Sequence, residues 1–105
     1  MIFVRGHIDQ QALAAEIAGA IQHLGPNVVR VRYSFAEDSI GDPAIYFRIV
    51  LTDESSRATN LADVTGAIAG KMFQRLDPYE RWGLSPYFRY RSVSEADKRN
   101  DPDWA

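Results

Sequence analysis

The chain has 105 residues and no cysteine, which indicates one domain with one hydrophobic core and excludes disulfides, cysteine nucleophiles and cysteine zinc sites. Hydrophobic residues make up 46% of it and charged residues 25%, as in ordinary soluble domains, and no apolar run approaches the roughly 20 residues needed to span a bilayer. Lys and Arg number 12 and Asp and Glu number 14, so the net charge of -2 argues against extensive wrapping of nucleic acid but allows a local basic patch.

The first predicted element is a helix over residues 10–24. Asp9 is placed to cap its N-terminus, and Ile8 can pack against Leu13 across the first turn. Apolar residues then recur at helical spacing. A Gly-Pro pair directly after the last of them ends the helix, because proline cannot continue it.

Two strands are predicted next, over residues 28–35 and 44–51. Apolar side chains fill the odd positions of both, so each strand has one buried face and one solvated face. Because the two strands share this parity, they can pair as an antiparallel hairpin with Phe35 opposite Ile45.

A second helix is predicted over residues 57–76, with Ser55 or Ser56 as its cap. The run Asp77-Pro78-Tyr79-Glu80 then has the pattern of a new helix N-terminus. This pattern predicts one short helical turn that ends at Gly83.

The last strand is predicted over residues 86–91, again with alternating side chains. The tail that follows is polar, and Ser94 and Asp97 stand at the spacing of a capping box, which indicates a short helix. We therefore predict a single α+β domain over residues 1–92, followed by a C-terminal tail over residues 93–105.

The element order predicts an α+β fold in which a mainly antiparallel sheet of three or four strands carries two helices on one face. If residues Ile2 to Arg5 form an edge strand, the order is βαββαβ, as in the ferredoxin-like fold; if they do not, it is αββαβ. The predicted core consists of Leu13, Ile17, Ile21, Leu24, Val29, Val31, Tyr33, Phe35, Ile45, Phe47, Ile49, Leu51, Leu61, Val64, Ile68, Met72 and Phe88.

Arginine accounts for most of the basic residues, and five arginines fall on strand positions assigned to the face away from the core. The expected register sets Arg32 opposite Arg48, and like charges in that position destabilise a sheet unless something anionic lies between them. Tyrosines on the same face can stack on bases or on guanidinium groups. We predict a partner-binding or anion-binding face; the alternative is a solvated face, or arginines paired with acidic residues of the same chain. The predicted binding residues there are Arg30, Arg32, Tyr46, Arg48, Tyr87, Arg89 and Arg91.

The loop between the first two strands is acidic. Its Glu37, Asp38 and Asp42 are weak candidates for holding Mg²⁺, and the same residues are more typical of a turn whose side chains bond to the backbone. The strand that follows lacks the second carboxylate of a nucleotidyltransferase, which argues against two-metal chemistry. Because there is also no phosphate loop, nucleophile elbow or histidine pair at metal-binding spacing, we expect no cofactor and favour a function other than catalysis.

Trp104 is the one large aromatic residue of the polar tail. Such a residue either folds back on its own domain or anchors the chain to another one. We include Trp104 among the candidate partner-binding residues, with docking on its own domain as the alternative.

Three stretches, over residues 29–49, 86–92 and 101–105, together resemble a group of small uncharacterised bacterial proteins. The resemblance implies a genetic context, in which such proteins stand beside HEPN-domain proteins as the antitoxin-like or nucleotidyltransferase-like half of a two-gene module. It implies no catalytic residues.

The leading interpretation is a non-enzymatic protein-interaction module, an antitoxin-like partner of a toxin-type ribonuclease. The alternatives are a divergent metal-dependent nucleotidyltransferase that uses the acidic loop and a domain that binds single-stranded RNA through its sheet. We expect a protein partner encoded by the adjacent gene, with a homodimer as a further possibility and no membrane partner. The N-terminus lacks the form of a signal peptide, which predicts a cytoplasmic location.

Overall fold

A computed structural model describes residues 9–104, apart from the side chains of residues 58 and 60. In chain order the elements are α1 (Gln10–Ile21), β1 (Val28–Glu37), β2 (Pro43–Leu51), α2 (Ala58–Leu76), α3 (Pro78–Trp82), β3 (Ser85–Ser92), α4 (Val93–Arg99) and a 3-10 turn (Pro102–Trp104). The strand predicted for Ile2 to Arg5 and the contact predicted for Ile8 lie outside the described residues.

The three strands form one mixed sheet in the order β1-β2-β3, with β2 in the centre. β1 and β2 are antiparallel, and Phe35 pairs with Ile45 as the shared parity predicted. β2 and β3 are parallel. The predicted α+β class is confirmed, whereas the prediction of a mainly antiparallel sheet is wrong. The crossover through α2 and α3 returns the chain to the end of the sheet where β2 begins, so β3 runs parallel to β2.

The direct pairing of β2 with β3 also departs from the ferredoxin-like arrangement. In that fold another strand separates the two parallel strands of each βαβ unit. Here the two strands are hydrogen-bonded neighbours, so this βαβ unit is not split.

One face of the sheet carries α1 and α2, and the main core lies between them and the odd-numbered residues of β2. The buried residues of this core are Leu13, Ile17, Ala20, Leu24, Ile45, Phe47, Ile49, Leu51, Ile68, Met72, Leu76 and Leu84. The predicted core residue Val29 is 46% exposed instead. The reason is an irregularity in the β1–β2 register between Val28 and Arg30, which turns Val29 out of the alternation.

The opposite face of the sheet is partly covered by α4 and the 3-10 turn. Val50 of β2 packs there against Ala96 and Trp104, with Val93 beside them. The predicted tail therefore contains a helix that packs on the sheet.

The cap of α4 differs from the predicted one by two residues. Ser92 accepts a hydrogen bond from the backbone N–H of Glu95, and the Glu95 side chain bonds back to Ser92, which completes a capping box. Ser94 instead donates its N–H and its hydroxyl to the carboxylate of Asp53, and these bonds hold the pKa of Asp53 below its ordinary value. The N-terminus of α4 is thereby fixed to the loop after β2.

The other helix ends also show corrections. α1 ends at Ile21, three residues before the predicted end. α2 begins after Arg57, which makes no side-chain capping bond. Neither predicted serine caps it: Ser55 is buried and donates to Asn27, and Ser56 donates to the carbonyl of Thr52. Asp77, at the start of α3, has a φ of 43° and does not cap with its side chain. Within residues 9–104, no helix combines the length and the apolar character that a bilayer crossing demands.

Candidate functional site

The sheet face opposite α1 and α2 carries three arginines side by side, one from each strand. Arg32 of β1 pairs with Arg48 of β2, as predicted, and Arg48 pairs in turn with Arg89 of β3. Neighbouring strands lie roughly 4.8 Å apart, so these three side chains start within about 10 Å of one another. We call Arg32, Arg48 and Arg89 the arginine row. Arg32 and Arg89 are exposed, and Arg48 is half-buried.

Residues 101–104 dock on the neighbouring row of side chains across the sheet. Arg30 and Arg91 flank Val50 in this row. The Nε of Arg30 donates to the carbonyl of Trp104 at 3.0 Å, and the guanidinium of Arg91 lies 4.3 Å from the centre of the indole ring. Trp104 is only 6% exposed. Of the two predicted alternatives for Trp104, the structure shows docking on its own domain, where the indole is covered.

Arg48 connects the arginine row to residues 101–104, which we call the docked tail. Its Nε donates to the carbonyl of Asp103 at 2.9 Å, and its Nη1 donates to the hydroxyl of Ser34 at 2.9 Å. We predicted that an external anion offsets the repulsion between Arg32 and Arg48. The structure places a carbonyl dipole of the same chain against Arg48, which offsets part of that repulsion.

The two predicted tyrosines stand at the other end of the face. Tyr46 and Tyr87 stack on each other, with ring centres 5.1 Å apart and an interplanar angle of 17°. The hydroxyl of Tyr87 donates to Asp38 at 2.8 Å, while the other oxygen of Asp38 accepts from the N–H groups of Ile40 and Asp42. These bonds, that of Tyr87 foremost, hold the pKa of Asp38 below its ordinary value.

The acidic loop is therefore organised as a turn. The carboxylate oxygens of Asp38 accept hydrogen bonds from the backbone and from Tyr87, in the way predicted for a turn residue. The weak metal candidates Glu37, Asp38 and Asp42 form no metal-binding group, and across residues 9–104 no set of three or more histidine, aspartate or glutamate side chains is arranged to hold a metal ion.

The bond from Tyr87 to Asp38 predicts a measurable pH effect. A carboxyl whose pKa is lowered by folding stabilises the protein above the unfolded pKa, and this contribution is lost as the pH falls through the folded pKa. In Tyr87→Phe we expect the pKa of Asp38 to rise towards its ordinary value, so that the stabilising contribution becomes smaller and its loss in acid is complete at a higher pH. The carboxyl carbon of Asp38, followed by NMR against pH, measures this shift.

Tyr46→Phe is the matched control, because it keeps the stacked rings and leaves the Tyr87 hydroxyl in place. Its Asp38 should titrate as in the wild type. Identical Asp38 titration in wild type and Tyr87→Phe would show that the hydroxyl does not set this pKa.

Comparison with known protein families, with curated proteins and with solved structures gave no match. The function must therefore be inferred from the chain's own surface. Sequence reasoning missed the part that Asp103 and Ser34 play at Arg48. Alternation placed Ser34 on this face, but a bond to a backbone carbonyl, such as that of Asp103, has no signature in residue types.

Proposed function

We propose that the chain is a non-enzymatic protein-interaction module whose arginine row binds an acidic segment of a protein partner. The observation that carries this proposal is the row itself, with Arg32, Arg48 and Arg89 in register across all three strands. Adjacent like charges destabilise a sheet, and a bound anion that contacts all three would remove that cost. The planar fork of arginine suits carboxylates, which it binds through paired N–H bonds.

The surroundings of the row favour an acidic protein segment over RNA. The acidic loop of the chain itself lies beyond one side of the row, where Asp38 accepts a hydrogen bond from Tyr87. A nucleic acid strand that ran along the strands towards this loop would meet the carboxylate of Asp38. Single-stranded nucleic acid is bound by continuous basic grooves with open aromatic rings, whereas Tyr46 and Tyr87 stack on each other. A short acidic segment that crosses the strands lies along the row instead and avoids the acidic loop.

The resemblance to halves of two-gene modules supports the product of the adjacent gene as the first partner to test. In that form of the proposal the chain is an antitoxin-like partner of a toxin-type ribonuclease and acts in the cytoplasm. Co-expression with the adjacent gene product should give a complex that survives purification, and size-exclusion chromatography of the chain alone tests the homodimer.

The direct test reverses the charge of the two exposed members of the row. In Arg32→Glu/Arg89→Glu, Arg48 is kept because it holds the tail. We expect this variant to bind a fluorescein-labelled peptide of ten glutamates at least tenfold more weakly than the wild type, because two attractions become repulsions. Fluorescence anisotropy at low salt measures the affinity.

The matched control is Lys71→Glu/Arg75→Glu, which makes the same charge change on exposed positions of α2, on the other side of the sheet. This control should bind the peptide within about twofold of the wild type. Equal binding by wild type and a folded Arg32→Glu/Arg89→Glu variant would overturn the proposal.

Two further results would favour one of the alternative functions over the proposed interaction module. Tighter binding of a ten-nucleotide RNA than of the peptide, with an affinity that falls steeply with salt, would indicate the RNA-binding function. Transfer of label from a nucleoside triphosphate to the co-expressed partner, lost in Asp42→Ala, would indicate the nucleotidyltransferase.

A further inference from the structure

The sheet face that carries the arginine row together with Arg30 and Arg91 is called the arginine face. The docked tail, residues 101–104, satisfies the hydrogen-bond donors of this face only in part. Arg30 and Arg48 donate to backbone carbonyls of the tail, which carry no net charge. Within residues 9–104, the buried Nη1 of Arg91 has no hydrogen-bond partner, and a carboxylate oxygen of Asp101 lies 3.7 Å away, which is too far for a hydrogen bond. A buried guanidinium nitrogen without an acceptor is costly, so a carboxylate placed closer would bind better than the tail does.

The tail also borders an open cleft. A cavity of about 370 Å³ opens between the tail and α4, with Arg30, Asp97 and Trp104 among its lining residues. The tail joins α4 through Asn100, which has a φ of 48°, a conformation that ends the helix there.

The small cluster in which Trp104 is buried is separate from the main core. Undocking of the 3-10 turn would therefore expose Val50 and Trp104 and leave the core between the sheet and α1 and α2 in place.

We propose that residues 101–104 are an intramolecular competitor for the arginine face, so that the docked tail and the acidic segment of a partner exclude one another. This inference rests on the function proposed above and concerns its regulation. The docked tail places the carboxylate of Asp101 beside Arg91 and the backbone carbonyl of Asp103 on Arg48, and this negative charge next to the row repels an acidic segment that approaches Arg48.

The bonds of Arg48 give the second reason for exclusion. A carboxylate binds an arginine most strongly through two parallel N–H bonds, either from Nε and Nη2 or from Nη1 and Nη2. Asp103 occupies the single N–H of Nε, so the donor pair that contains Nε lacks one member while the tail is docked; Ser34 takes one of the two N–H groups of Nη1. Release of the tail frees Nε, so a carboxylate of the partner can then accept paired bonds from Nε and Nη2 of Arg48.

The test follows Trp104 directly while the glutamate peptide binds. Trp82→Phe makes Trp104 the one tryptophan of the chain, and it should cost little because the indole N–H of Trp82 has no hydrogen-bond partner within residues 9–104. Addition of the ten-glutamate peptide to this variant should shift the tryptophan emission to longer wavelength, because Trp104 moves from a buried site into water. Full-length Trp104→Ala should bind the same peptide at least threefold more tightly than the wild type, because the competitor no longer docks.

The outcomes separate this inference from the proposed function. Peptide binding with an unchanged Trp104 emission, and with Trp104→Ala affinity equal to that of the wild type, would overturn the competition and leave the proposed function standing. If none of the variants binds the peptide, the proposed function itself is overturned. If Trp104→Ala does not fold, the emission of the Trp82→Phe protein decides the question alone.

Discussion

Phe47→Ala is expected to lower the free energy of unfolding by about 3–5 kcal/mol, the largest effect of a single substitution in this chain. Phe47 lies in the middle of the central strand and is fully buried. Its ring stacks on Phe88 at 5.2 Å between centres and contacts Tyr33 at 6.3 Å. Because a strand flanks β2 on each side and two helices cover it, the cavity left by the ring has little room to collapse. Urea unfolding followed by circular dichroism measures the loss.

Phe73→Ala provides the comparison. Phe73 also contacts Phe88, at 6.0 Å between ring centres, but it is 47% exposed. We expect this variant to lose less than about 1 kcal/mol, since about half of the side chain is already in water. Similar losses for Phe47→Ala and Phe73→Ala would show that the core is not centred on β2.

Trp104→Ala is expected to lower the free energy of unfolding by about 2–3 kcal/mol and to release the tail. This lies below the usual cost of removing a core tryptophan, because the cluster around Trp104 contains only Val50, Ala96 and Val93. The substitution removes the buried indole and the contact of its ring with Arg91. Hydrogen exchange should show faster exchange of the α4 amides with unchanged protection in β2.

Tyr79→Ala is the control for Trp104→Ala, because it removes a large aromatic side chain that is 65% exposed. Its stability should stay within about 0.5 kcal/mol of that of the wild type. Unchanged protection of α4 in Trp104→Ala would contradict the role assigned to the indole in holding the tail.

Part of the candidate site follows from the sequence because it depends on alternation alone. Side chains alternate between the two faces of a strand, so parity assigned Arg32 and Arg48 to one face and predicted their pairing. The direction of β3 does not follow, because a strand shows the same alternation in a parallel and in an antiparallel pair. The sequence therefore predicted the face on which Arg89 lies, and only the parallel pairing with β2 made it the third member of the row.

The tail shows the same division. Ser92 with Glu95 and Ser94 with Asp97 both have the spacing of a capping box, and only the end of β3 at Ser92 selects the first pair. The surface that covers Trp104 could not be predicted for a similar reason. An apolar residue in a polar segment indicates that some surface buries it, but not whether that surface belongs to the same chain or to another.

By itself the sequence determined the α+β class, the first helix and its Asp9 cap, and the hairpin with its register. These depend on contacts between residues close in the chain or on a period that the residue types record. The tertiary structure alone decided the mixed sheet, the place of Arg89 as third member of the arginine row and the docking of residues 101–104 on the sheet. These depend on which distant segments meet and on bonds to backbone carbonyls, which every residue carries and which residue types therefore do not encode.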